Sequence, residues 1–192
     1  MTSKLSPYMG EQLIWLLTRW TRSYLLVDTS YYSDFSPALK EKYCANTESS
    51  RKVINFLLNK ILVNLFKWQG EPDLATATCK LLQTLVKNKE ICKCLVFTDV
   101  WKQLIAAEKD TFNTLKNQQD DVKATLIESL LTGCTNASNN DQELMSYLQQ
   151  LLTPLNNNFC AVIDRREFAS DYQALPVLAQ VSYCLEKLVG VV

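Results

Sequence analysis

Apolar residues recur at intervals of three and four along almost the whole chain, and that period belongs to the helix. It is clearest at 49–68. There Val53, Leu57, Ile61 and Leu65 form one stripe, and Ile54, Leu58, Leu62 and Phe66 form the next. Two adjacent stripes make a wide apolar face, so this helix is expected to touch neighbours on more than one side. Its polar side carries Lys52, Asn55, Asn59, Lys60 and Lys67. Strand-like alternation survives nowhere long enough to support a sheet. The punctuation agrees: 192 residues hold 4 glycines and 5 prolines, too few for a turn-rich fold of short strands. The fold class read from this pattern is all-α.

The remaining elements follow from the same period and from capping chemistry. A helix over 7–27 starts with Pro7 behind a capping Ser6, and Leu13, Leu17, Trp20 and Tyr24 define its face. A polar connection holding Tyr31, Tyr32 and Phe35 follows, to about residue 48. At 69–73, Gly70 suits a helix end, while Pro72 and Asp73 suit a new first turn. So tight a joint implies an antiparallel pair. A short helix is expected within 88–97. Thr98 and Asp99 then cap a helix over 100–109, with Trp101, Leu104 and Ile105 inward. A helix over 121–131 is expected to end at Gly133. Asn140 and Glu143 fit a capping box. The long helix behind it carries Leu144, Leu148, Leu151, Leu155, Phe159 and Val162, with a kink expected at Pro154. A last helix over 171–190 would turn Leu175, Leu178, Val181, Leu185 and Leu188 inward. The helices number seven or eight and are mostly paired, at about 7–69, 71–109 and 120–168, with the further helix at 171–190. At roughly 40–47 residues per hairpin, HEAT-like or armadillo pairs would give about four repeats in a single α-solenoid segment over 1–192.

Composition excludes several function classes. Lys plus Arg is 20 and Asp plus Glu is 20, so no bulk basic field points to nucleic acid or to a membrane surface. No histidine is present, which removes imidazole triads and His-containing metal sites. There is no glycine-rich phosphate loop and no nucleophile motif, so neither an enzyme nor a cofactor is expected. Seven cysteines, an odd number, argue against a full disulfide framework and for a reducing interior. Cys79 and Cys184 read as small buried hydrophobes. Cys92 and Cys94 would sit about 200° apart on a regular helix and could not share one metal there. No secretory signal or membrane-spanning segment is visible in the sequence.

Several strings of structural residues resemble a known family. They are Arg19 to Asp28 (RWTRSYLLVD) with Tyr31 and Tyr32, Asn46-Thr47-Glu48, Trp68 to Ala75 (WQGEPDLA), and Leu81 to Val86 (LLQTLV). Leu152 to Leu155, Phe159, Val162 and Ile163 belong with them. Together they resemble the central region of the exportin-4 family, karyopherins of the importin-beta superfamily. The resemblance covers most of the chain. It implies a superhelix of HEAT repeats that binds Ran-GTP and protein cargo in the nucleus, crosses the pore on Phe-Gly nucleoporins and releases cargo in the cytoplasm. The cargo so implied is the hypusine-containing translation factor and Smad-type factors, with no nucleic acid and no membrane as partner. Such a receptor shuttles between nucleus and cytoplasm. The chain matches only the middle of one, and it ends on an apolar Gly190-Val191-Val192, so a fragment of a longer solenoid is expected.

Within that frame the polar stripe Lys52, Asn55, Asn59, Lys60 and Lys67 lies on a second helix of a pair, which in such superhelices usually lines the concave surface. It reads either as a solvated face or as a surface for a partner. Tyr31, Tyr32 and Phe35 either fold onto their own ridge or offer aromatic contacts. Trp20, Trp68 and Trp101 read as core, with Trp15 packed on a neighbouring helix. Arg165 or Arg166 could serve a GTPase as an arginine finger, though nothing places either at a nucleotide. The other functional class is a stand-alone helical scaffold or GTPase regulator with no transport activity.

Overall fold

A computed structural model describes residues 6–22, 48–68, 70–105 and 120–164, together with positions 174, 175, 178, 179, 182, 183 and 186. The long helices are α1 (Pro7–Trp20), α2 (Glu48–Lys67), α3 (Pro72–Val86), α6 (Asp120–Ala137) and α7 (Asp141–Ile163). Two short ones, α4 (Lys89–Leu95) and α5 (Asp99–Ile105), stand between α3 and α6. The seven described positions from 174 to 186 are helical as well, and no strand occurs among the described residues.

The helices form two rows. In the first, α3 lies between α1 and α6 and packs on both. In the second, α2 packs on α4 and α5. Between the rows, α2 and α4 touch α3, α4 also touches α6, and α7 rests on α6. The chain is an all-α helical repeat solenoid segment, with α3 at its centre. The last expected helix, 171–190, lies mostly outside the described residues.

The row is held together at small or satisfied side chains. Along α1 the buried positions are Gly10, Ile14 and Thr18, not the expected Leu13, Leu17 and Trp20. The reason is close approach. A Cβ on Gly10 would stand 3.3 Å from Leu74 Cδ2, so glycine lets α3 come in at that point. Thr18 satisfies its hydroxyl by donating to the Ile14 carbonyl at 2.8 Å, which makes its burial tolerable. Trp15 lies off this stripe, half-buried against the core, with Lys80 Nζ of α3 5.0 Å from its ring centroid.

Gly133 does not end a helix, because α6 runs four residues past it to Ala137. Its role is again contact. A Cβ there would overlap the Trp101 indole at Cη2 and crowd Val86 Cγ1 at 3.1 Å. Trp101 is fully buried against that bare stretch of helix. Its Nε1–H has no hydrogen-bond partner of ordinary geometry; the Cys134 sulfur, which it reaches, is only a weak acceptor. At the end of α3 the freed Val86 carbonyl accepts from Cys92 Sγ at 3.1 Å and from Asn136 Nδ2 at 2.8 Å. That ties α4 and α6 to the same helix terminus.

Asn140 caps α7 as expected, its Oδ1 accepting from Glu143 N at 2.8 Å. The return bond differs: Glu143 Oε2 accepts from the backbone of Asn139 at 3.0 Å, one residue before the cap. The helix then continues through position 154 to Ile163 as one element. Two apolar positions expected inward are not. Phe159 is 38 % exposed, and Leu175 is 59 % exposed with Ala174 buried instead.

Candidate partner-binding groove

The second row contains a break that the first row lacks. The Val96 N–H closes α4 on the Cys92 carbonyl at 3.2 Å, and the Thr98 N–H bonds Leu95 O at 2.9 Å. The Thr98 hydroxyl then works twice. It donates to Leu95 O at 2.7 Å and accepts from Trp101 N at 3.1 Å, ending one helix and starting the next. The α4–α5 corner stands opposite the uninterrupted α2 and leaves a groove of about 820 Å³. Arg51, Asn55 and Asn59 line it from α2, and Lys93, Phe97 and Gln103 line it from the corner. Phe97 is 74 % exposed, held out at the tip of the turn.

The lining is balanced in charge, with Arg51 and Lys93 set against Glu90 and Asp99. Lys93 Nζ meets Glu90 Oε1 at 2.9 Å, and Asp99 Oδ1 meets Lys102 Nζ at 4.0 Å. Both pairs are exposed and contribute little to stability. Asn59 Nδ2 donates to the Asn55 carbonyl at 2.9 Å, and its amide oxygen accepts from none of the described residues. These groups are suited to holding a ligand by hydrogen bonds and ring contact.

The expected polar stripe therefore divides. Asn55 and Asn59 face the groove, because one helical turn of about four residues carries the row Arg51, Asn55, Asn59 along one side. Lys52, Lys60 and Lys67 lie further round α2, outside the lining. Lys52 pairs with Glu48 at 2.9 Å in full exposure. Partial burial, and then the charge of Lys67, pull the Lys60 ammonium below its ordinary range. Lys67 Nζ sits 5.0 Å from the centroid of the Trp68 ring. Tyr31, Tyr32 and Phe35 lie outside the described residues, as do Arg165 and Arg166.

Arg51, Lys93, Phe97 and Gln103 were not among the sequence candidates. Arg51 shares the i, i+4 spacing of Asn55 and Asn59, so extending the stripe by one turn would have found it. Phe97 carries a signal too, an aromatic directly before a capping Thr98-Asp99 pair, where it belongs to no apolar stripe. Lys93 and Gln103 carry none, since only the corner brings them to α2.

The buried thiols do not form a second site. Cys79, Cys92 and Cys134 are all pushed up to about 12 by burial. They stay protonated near neutrality and are poor nucleophiles. Cys92 points into the core while Cys94 is half-exposed. Among the described residues, no group of three or more Cys, Asp or Glu is arranged to hold a metal, and no helix is long and apolar enough to cross a membrane.

Comparison with known proteins places the whole chain. The family model for Exportin-4 matches residues 1–192. Exportin-4 of Dictyostelium discoideum is 26% identical over 188 residues, which is 98% of this chain and 16% of that relative. The chain thus spans about a sixth of the curated relative's length. With a helical repeat fold and a match that runs from the first residue to the last, the chain belongs to the exportin-4 family.

Proposed function

We propose that this chain is a central repeat segment of a nuclear export receptor that binds Ran-GTP and protein cargo as part of a longer superhelix. The family match over residues 1–192 carries this reading, and the 16% coverage of the Dictyostelium relative supports a segment of a larger machine. The cargo inferred from the family is the hypusine-containing translation factor and Smad-type factors, and passage runs over Phe-Gly nucleoporins. The protein shuttles between nucleus and cytoplasm. The work of the segment is adhesive and mechanical, not catalytic. Ran-GTP and cargo each favour one superhelical pitch, and that shared preference couples their binding. Asn55, Asn59 and, further round α2, Lys52, Lys60 and Lys67 present the second row to a partner, with Tyr31 and Tyr32 as aromatic contacts from the connection before it.

Depletion of the native protein from its source cells tests the reading. The hypusine-containing factor is expected to accumulate in the nucleus, and an antibody raised against this chain is expected to detect a band several times larger than 21.9 kDa. An unchanged distribution of the factor would overturn the export role. A single band at 21.9 kDa would favour a stand-alone scaffold or GTPase regulator.

A further inference from the structure

The row Arg51, Asn55, Asn59 recurs every four residues, which is about 6 Å along the axis of α2. An extended peptide repeats every two residues at about 6.6 Å. Two successive turns of the row therefore stay within about 1 Å of register with alternate residues of an extended chain. A side-chain amide offers one donor and one acceptor group, which is what a backbone amide unit needs in return. Among the described residues, neither the Asn55 side-chain amide nor the Asn59 amide oxygen has a hydrogen-bonding partner.

From this match we infer that the groove between α2 and the α4–α5 corner binds an extended segment of a partner protein, reading its backbone through Asn55 and Asn59 and one apolar side chain against Phe97. Other occupants fit less well. A partner helix needs a continuous apolar floor, and here the apolar lining is Ile54, Cys94, Phe97 and Val100, with Ile54 and Val100 themselves buried, between charged, hydroxyl and amide groups. Nucleic acid or a segment of single charge needs a groove of one sign, and this one is balanced. A neutral lining suits the peptide backbone itself. The exposed ring at the tip of the turn then supplies the selective contact, as buried aromatic anchors do at other interfaces. This inference rests on the reading of the second row as a partner-binding surface.

The test uses the 192-residue chain and a display library of random twelve-residue peptides. Enriched peptides are expected to share one apolar residue at a fixed position. In fluorescence anisotropy they should bind the Asn55→Ala, Asn59→Ala double variant and the Phe97→Ala variant about tenfold more weakly. Methylating alternate backbone nitrogens of the peptide should weaken it comparably. All three residues are exposed, and alanine is the better helix former at 55 and 59, so the variants are expected to melt as the parent does. Should Phe97→Ala unfold, Phe97→Leu keeps apolar surface and still removes the ring. The inference is overturned by no enrichment, by unchanged binding to these variants, or by a helical bound peptide in circular dichroism. Peptide binding by the chain is independent of where the translation factor resides in cells, so the export reading and this one can fail separately.

Discussion

Helices α3 and α7 show how little amphipathic pattern alone decides. α3 has 15 residues and buries ten of them, including two threonines. α7 has 23 residues, and of its described side chains only Leu151 and Val162 are buried. Both carry leucines at helical spacing. The difference lies in how many of the described helices each one meets. α3 is flanked by α1, α2, α4 and α6, so nearly every direction meets another helix. Among the described helices α7 packs on α6, and Phe159 and Met145 remain in contact with water. A stripe states which side can be buried; the neighbours state how much of it is.

The sharpest way to break this contrast is truncation in each helix. Leu82→Ala removes a fully buried side chain and is expected to cost about 2–5 kcal/mol in urea unfolding. Met145→Ala, on the exposed face of α7, should stay within about 0.5 kcal/mol. Equal losses would mean that α7 is held as tightly as α3. The contact of α6 with Trp101 comes next. Gly133→Ala forces a methyl into the indole and should cost about 1–3 kcal/mol. In a Trp101→Leu background the added cost should shrink, and a double-mutant cycle with no coupling would refute close approach as the reason for glycine.

The thiols separate the core from the surface in another way. Cys79, Cys92 and Cys134 have folded values near 12 against an ordinary 9.0, so the folded state keeps protons that the unfolded state releases. Their contribution is fully present below pH 9 and is lost as pH rises from there toward 12. The melting temperature is expected to fall between about pH 8.5 and 10.5, and Cys79→Ala should flatten part of that fall. At neutral pH, alkylation mapped by mass spectrometry should mark exposed Cys160 and half-exposed Cys94 well before these three. Early labelling of Cys79 would show that its position between α3 and α6 opens readily. Its thiol donates to the Val122 carbonyl at 3.8 Å in the closed state.

Much of this was open to a reader of the residues alone. The helix 48–67 begins and ends within one residue of its expectation at 49–68, and the helices 72–86 and 141–163 start where Pro72 and Asn140 place them, because caps and breakers are local chemistry. The inward set Trp101, Leu104 and Ile105 was equally plain. Half of the groove was visible as well, since Asn55 and Asn59 lie on one helix at turn spacing. The two glycine positions share one cause. Gly133 looked like a terminator and Gly10 was not singled out, because a glycine used for contact has the same local signature as one used for a turn. Which it is depends on Trp101 and Leu74, residues 32 and 64 positions away in the chain.

The sequence by itself determined that the chain is helical, where most helices start and stop, and which family its structural residues resemble. Each of these rests on interactions within a few residues, or on strings matched position by position. The tertiary structure alone decided that α3 is the centre of the described helices, that α1 buries Gly10, Ile14 and Thr18 more fully than Leu13 and Leu17, and that a broken second-row helix opens a groove against α2. Those outcomes depend on how closely two helices can approach, and that distance is set jointly by side chains far apart in the chain.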